Sequence, residues 1–180
     1  MGIELTLGLV ETVKLAVNPV LVEPQWGALG GAERLQISNN AALTTLNLRG
    51  VVDPTYLTID TNPALVTVDA PDLERVGELS MFSNPALEEV QLPALVIADW
   101  LELWDHARLR TLGLPALRAM DGLSLEHNPM LANVDLGALL PTGWVVHADD
   151  HPLLCLADLP TLFPVPLGCE LVETDHGCLP

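Results

Sequence analysis

Basic residues are scarce in this chain. Seven lysines and arginines stand against 24 acidic residues, a formal charge of -17. A surface of that sign repels phosphate backbones and anionic headgroups, which argues against nucleic acid and membrane-surface partners. There is no run of about 18 apolar residues, so neither a spanning helix nor membrane insertion is expected. The opening "MGIELTLGLVETVK" has no basic region ahead of an apolar one and lacks the shape of a signal peptide. An exported form would carry its leader outside this chain. Gly2 and Thr6 fit the N-myristoylation pattern, but that pattern is short and weakly specific.

Catalytic signatures are missing too. The chain has no glycine-rich phosphate loop, GxSxG, HExxH or CxxC. Its acidic residues are scattered rather than set as a facing pair, so glycoside hydrolysis is not indicated. Neither enzymatic activity nor a cofactor is expected. The nearest approach to a metal cluster is "HADDH", with His147, Asp149, Asp150 and His151. Metal ligands must converge, and in the register derived below these largely diverge, so no metal site is assigned.

What the chain does have is a repeat. With apolar residues at 49%, burial is not in short supply. Their positions recur at a 22-residue step through Val13, Leu35, Leu57, Leu79, Leu101 and Leu123, and Val146 follows one residue late. Counting each of these as position 0, position +2 holds Leu15, Ile37, Ile59, Met81, Leu103 and Leu125. Position +8 is leucine in every turn from Leu21 to Leu154, and positions +11, +13 and +16 are aliphatic almost throughout. A fixed period of this length is the signature of stacked repeats.

Positions +5 and +6 read Asn18-Pro19, Asn40-Ala41, Asn62-Pro63, Asn84-Pro85, His106-Ala107, Asn128-Pro129 and His151-Pro152. Proline fixes a bend and needs no backbone donor there. The asparagine amide can bridge backbone groups that the bend leaves unpaired. These pairs are therefore read as the corners of a coil and the asparagines as a polar ladder. The histidines are structural substitutes within it. Alternation at 0/+2 and +11/+13 predicts two short strands per turn. Prolines recurring at +6 and +14 leave no room for a useful helix. The fold class is mainly β: a parallel, leucine-rich-repeat-like solenoid with 22-residue turns. Residues 1–180 form a single domain, with an N-terminal cap (1–12), repeats (13–155) and a C-terminal cap (156–180).

The three cysteines, Cys155, Cys169 and Cys178, fall at the end. Cys155 is at +9 of the turn opening at Val146. If a last half-turn opens at Cys169, Cys178 is again at +9, one strand spacing away and within disulfide reach. This predicts a Cys155–Cys178 disulfide with Cys169 free, and an oxidising compartment. Three buried thiols in a cytosolic protein are the alternative, which the odd count keeps open.

The outward positions of the first strand are -1, +1 and +3. They read Tyr56-Thr58-Asp60, Glu78-Ser80-Phe82, Trp100-Glu102-Trp104 and Gly122-Ser124-Glu126. The chain has only seven aromatic residues, and four of them lie here. The one-residue insertion before Val146 leaves open whether Trp144 joins them, and Trp26, at +13, is read as core or cap. Exposed aromatics beside carboxylates are typical interface anchors. The predicted ligand-binding residues are Tyr56, Phe82, Trp100, Glu102 and Trp104. Cross-strand packing is the alternative role.

The phrase "LERVGELSMFSNPALEEVQLPAL" resembles the receptor L domain, the leucine-rich-repeat relative found in insulin and epidermal-growth-factor receptors and in bacterial and fungal surface proteins. The resemblance covers roughly residues 13 to 155. It implies a short right-handed β-helix that binds a protein or peptide ligand, or serves a wall or surface role. That family shares core positions rather than a fixed site, so no binding residue carries over. The expectation is a non-enzymatic recognition or adhesion module, extracellular or at the cell surface, with a protein or glycan ligand. A structural spacer with no ligand is the second reading.

Overall fold

The computed structural model describes residues 11–21, 32–137, 139, 145–149 and 170–173. Every element among them is a strand, and all pairing is parallel. The first strands of successive turns are β1 (Thr12–Ala16), β2 (Arg34–Ser38), β4 (Tyr56–Asp60), β6 (Arg75–Phe82), β8 (Ile97–Trp104), β10 (Ala119–Glu126), β12 (Val145–Asp149) and β13 (Glu170–Glu173). They form one eight-stranded sheet in that order. The second strands are β3 (Thr45–Asn47), β5 (Thr67–Asp69), β7 (Glu89–Gln91), β9 (Thr111–Gly113) and β11 (Asn133–Asp135), and they form a five-stranded sheet. Five successive turns thus contribute a strand to each sheet, and the chain is a β-solenoid.

The register is the repeat made visible. Leu35 pairs with Leu57, Leu57 with Leu79, Leu79 with Leu101 and Leu101 with Leu123. Leu123 then pairs with Val146, which absorbs the one-residue insertion. Positions 0, +2, +8, +11, +13 and +16 fill the interior, and the leucines at +8 from Leu43 to Leu131 are fully buried. Position -3 adds a further column, Ala32, Val76, Ala98 and Met120.

Both corners are β-turns closed by a backbone bond from residue i+3 to residue i. At the first corner Leu65 N–H donates to the Asn62 carbonyl at 3.0 Å and Leu87 N–H to the Asn84 carbonyl at 3.0 Å. At the second, Leu73 N–H donates to the Ala70 carbonyl and Leu95 N–H to that of Leu92. Proline at +6 or +14 therefore occupies i+1, where its fixed φ suits the turn. Position +13 opens the second turn and does not extend the strand. Just before each first corner the chain enters the left-handed region, at Val17, Asn39, Thr61, Ser83, Asp105 and His127, with φ between 51° and 60°.

The corner asparagines form a ladder. Asn84 Oδ1 accepts the backbone N–H of Asn62 at 3.0 Å, and its Nδ2 donates to the Ile59 and Phe82 carbonyls at 3.0 Å each. Asn62 repeats this with Asn40, Ile37 and Asp60. His106 takes the same place: its Nδ1 accepts the Asn84 N–H at 3.3 Å. Its Nε2 is buried with no hydrogen bond of good geometry, the Met81 backbone being the neighbour on that side. Burial drives the His106 pKa from 6.5 down to about 4, against smaller upward pulls from the Asn84 and Met81 backbone and the Asp105 charge.

The last turn departs from expectation. Val146 pairs with Leu171, so Leu171 takes position 0 and Cys169 does not. The apolar Leu171 continues the zero column, and the half-turn is shifted by two residues from the alignment that set Cys155 and Cys178 in one column. The three cysteines lie outside the described residues, as do Trp26, Trp144, Asp150 and His151.

Two predictions follow from the ladder. Asn84→Ala removes the partners of the Asn62 N–H and the Ile59 carbonyl, and should cost about 1–3 kcal/mol for each group left unpaired; chemical denaturation measures it. For His106, the folded pKa lies below the unfolded value, so the unfolded state binds the proton more tightly. The neutral ring's contribution is complete above pH 6.5 and is lost as pH falls towards 4. His106→Asn should melt higher than the parent at neutral pH, and the gap should widen by up to roughly 3 kcal/mol between pH 6.5 and 4. Parallel stability curves over that range would refute the assignment.

Candidate functional site

The outward side chains of the first sheet form columns because the strands stack in register. Trp100 pairs with Glu78 on one side and Gly122 on the other. Glu102 lies between Ser80 and Ser124, and Trp104 between Phe82 and Glu126. The predicted residues Phe82, Trp100, Glu102 and Trp104 thus meet on β6 and β8. Tyr56 stands apart on β4, separated from Trp100 by Glu78 in the same column. Its ring is covered by Arg34, whose guanidinium carbon sits 4.5 Å from the ring centroid.

The aromatics lie down on the sheet and are all half-buried. Phe82 and Trp104 pack with ring centroids 5.1 Å apart and planes tilted by 57°, a favourable aromatic geometry. The Trp100 ring covers Gly122, and a Cβ at Gly122 would fall within that ring. Glycine there, beside a tryptophan in the same column, is the sequence signal for this contact that the periodicity reading did not use.

Polar groups hold the arrangement. Trp100 Nε1–H donates to Glu102 Oε1 at 3.1 Å, and Trp104 Nε1–H to Ser124 Oγ at 3.0 Å. The Ser124 hydroxyl donates to Glu126 Oε1 at 3.1 Å. Ser80 Oγ lies 2.8 Å from Glu78 Oε1 and 3.3 Å from Glu102 Oε2. Both serines, although outward, are 4% exposed beneath their neighbours. Glu78, Glu102 and Glu126 therefore run as a diagonal, each one strand across and one outward position along from the last. Steps of this kind are about 8 Å, combining a strand spacing with a two-residue rise. Trp100 flanks the diagonal on one side, and Phe82 with Trp104 on the other. Asp60, paired with Phe82, has Oδ1 enclosed without a donor.

The backbone register sets His147 opposite Ser124 and Asp149 opposite Glu126. No group of three metal-binding side chains occurs among the described residues. Among the described residues no helix is long and apolar enough to cross a membrane.

Comparison with protein-family models, curated proteins and solved structures found no match to this chain.

The Trp100–Gly122 contact can be tested by Gly122→Ala. The methyl should lift the indole from the sheet, raise acrylamide quenching of tryptophan fluorescence and cost about 1–3 kcal/mol. Unchanged quenching and stability would show that the ring does not rest there.

Proposed function

We propose that this solenoid is a non-enzymatic recognition or adhesion module, working outside the cell or at its surface. Its ligand, a protein or a glycan, would meet the first-sheet face around Trp100, Glu102, Trp104 and Phe82. The observation that carries this reading is the grouping of three half-exposed aromatic rings with a carboxylate set between them on one flat face. Rings fixed by packing and hydrogen bonds present contact area at a low ordering cost, as binding anchors do. The surface setting is supported by the resemblance to receptor L domains over residues 13 to 155, which rests on the repeat alone.

A spacer role is the second reading. It is favoured by the way the face closes on itself: both indole N–H groups are satisfied internally, and Trp100 rests on Gly122.

The double variant Trp100→Ala/Trp104→Ala discriminates between them. Because these side chains are packed, it should lose some stability, about 1–3 kcal/mol, and should retain its β circular dichroism. On glycan and peptide arrays, signals of the parent should weaken by about 2 kcal/mol, roughly 30-fold, in the variant. Array signals that survive the double substitution would leave the spacer reading in place.

A further inference from the structure

We infer that the ligand of this face is cationic: an extended protein segment carrying arginine side chains at alternate positions, laid along the Glu78–Glu102–Glu126 diagonal. This rests on the recognition reading above and names the chemistry that the face selects.

The first argument is the balance of hydrogen-bonding capacity. Every side-chain donor in the centre of the face is engaged within it: the indoles of Trp100 and Trp104 by Glu102 and Ser124, and the serine hydroxyls by the glutamates. The carboxylates, in contrast, retain acceptor capacity, since an ionised carboxylate offers about four lone-pair sites. Asp60 Oδ1 shows an imbalance of the same sign. A ligand that only donates is the complement. Guanidinium has five donors and no acceptor, whereas a neutral sugar needs donors returned to it.

The second argument is charge. The outward positions of β4, β6, β8 and β10 from -1 to +3 include Asp60, Glu78, Glu102 and Glu126 and no lysine or arginine. Such a face attracts cations and rejects anionic glycans.

The third is a precedent within the chain. Arg34, on β2 of the same sheet, already sets its guanidinium on an aromatic ring of this face, at 4.5 Å from the Tyr56 centroid. Trp100 and the Phe82–Trp104 pair offer the same surface to a guanidinium arriving from outside, with a carboxylate beside each. Arginine is favoured over lysine because its planar group both stacks and forks onto a carboxylate. Alternate side chains of an extended segment are about 6.8 Å apart, close to the step of the diagonal.

The test uses an acetylated, amidated pentapeptide with arginine at positions 1, 3 and 5, together with its lysine and citrulline analogues. Titration is followed by calorimetry on the full chain. The expected order is arginine tighter than lysine, with the citrulline peptide at least tenfold weaker than arginine. Glu102→Gln/Glu126→Gln, which keeps acceptors for Trp100 and Ser124, should weaken the arginine peptide at least tenfold. Glu74→Gln/Glu89→Gln removes the same charge from exposed sites off this face and should change it less than twofold. Equal losses in the two variants would reduce the effect to general attraction by an acidic protein and overturn the inference. Failure of the arginine peptide to bind, alongside a neutral glycan whose binding is lost in Trp100→Ala/Trp104→Ala, would overturn the cationic ligand and leave the recognition face standing. If neither peptide nor glycan binds in a face-dependent way, both readings fall.

Discussion

The carboxamide of the corner asparagine is the contact on which the other regularities depend. It accepts the corner N–H of the turn before and donates to a strand carbonyl of that same turn, as Asn62 does with Asn40 and Ile37. A short side chain that both donates and accepts is needed, and the groups it serves are buried, where leaving them unpaired costs more than the bond itself contributes. A slip of one residue between turns would break these bonds throughout the stack and turn each leucine column outward. The ladder also explains the left-handed residue before each corner. Val17 and Thr61, β-branched residues that resist positive φ, adopt 56° and 54°, a strain of order 1–3 kcal/mol each. It is tolerated because the N–H of each position bonds across to the next turn, as Thr61 does to the Phe82 carbonyl at 3.1 Å.

The same register builds the outer face. Glu78, Glu102 and Glu126 are spaced by 24 residues, two more than the repeat, and that excess of two moves each glutamate one outward position along while the repeat moves it one strand across. A site composed in this way draws its neighbours from three turns. Phe82 and Trp104 touch because they differ by one full repeat, and Trp100 reaches Glu102 because they differ by two residues along a strand. Substitution at one outward position alters a column and leaves the interior untouched, which is how a rigid repeat can carry a variable surface.

Much of this was legible in the sequence because the signals were periodic. The leucine columns, the corner pairs and the stacking of Phe82 on Trp104 follow from a constant step of 22. What escaped were features that depend on geometry within a turn. The positive-φ position is held by Val17, Asn39, Thr61, Ser83, Asp105 and His127; three of these are residue types that enter the left-handed region readily, but valine and threonine are not, so the column does not announce it. Position -3, held by Ala32, Val76, Ala98 and Met120, is an odd position that strict alternation would turn outward, yet it is buried; in the long strands the pairing skips the residue between it and position -1. The final half-turn misled because the step there is no longer 22: Val146 to Leu171 spans 25 residues, and periodicity gives no guidance once the period changes. The recumbent pose of Trp100 was encoded in Gly122, but only a known register makes that glycine its neighbour.

On the proposed recognition face, packing and binding would make overlapping demands. A tryptophan resting on glycine and bonded to a glutamate contributes to the sheet, and it is also held in one pose before any ligand arrives. A side chain so fixed has little rotamer entropy left to lose, so a partner can use its contact energy with less offset. The internal bonds that satisfy the indoles do not neutralise the glutamates; they orient them. Each bond consumes a donor and leaves the charge in place, so the more completely the face satisfies itself, the more its remaining capacity is that of an acceptor. The chain's excess of acid is at this location ordered by serine and tryptophan donors into a row, and a donor of positive charge is the complement such a row would favour.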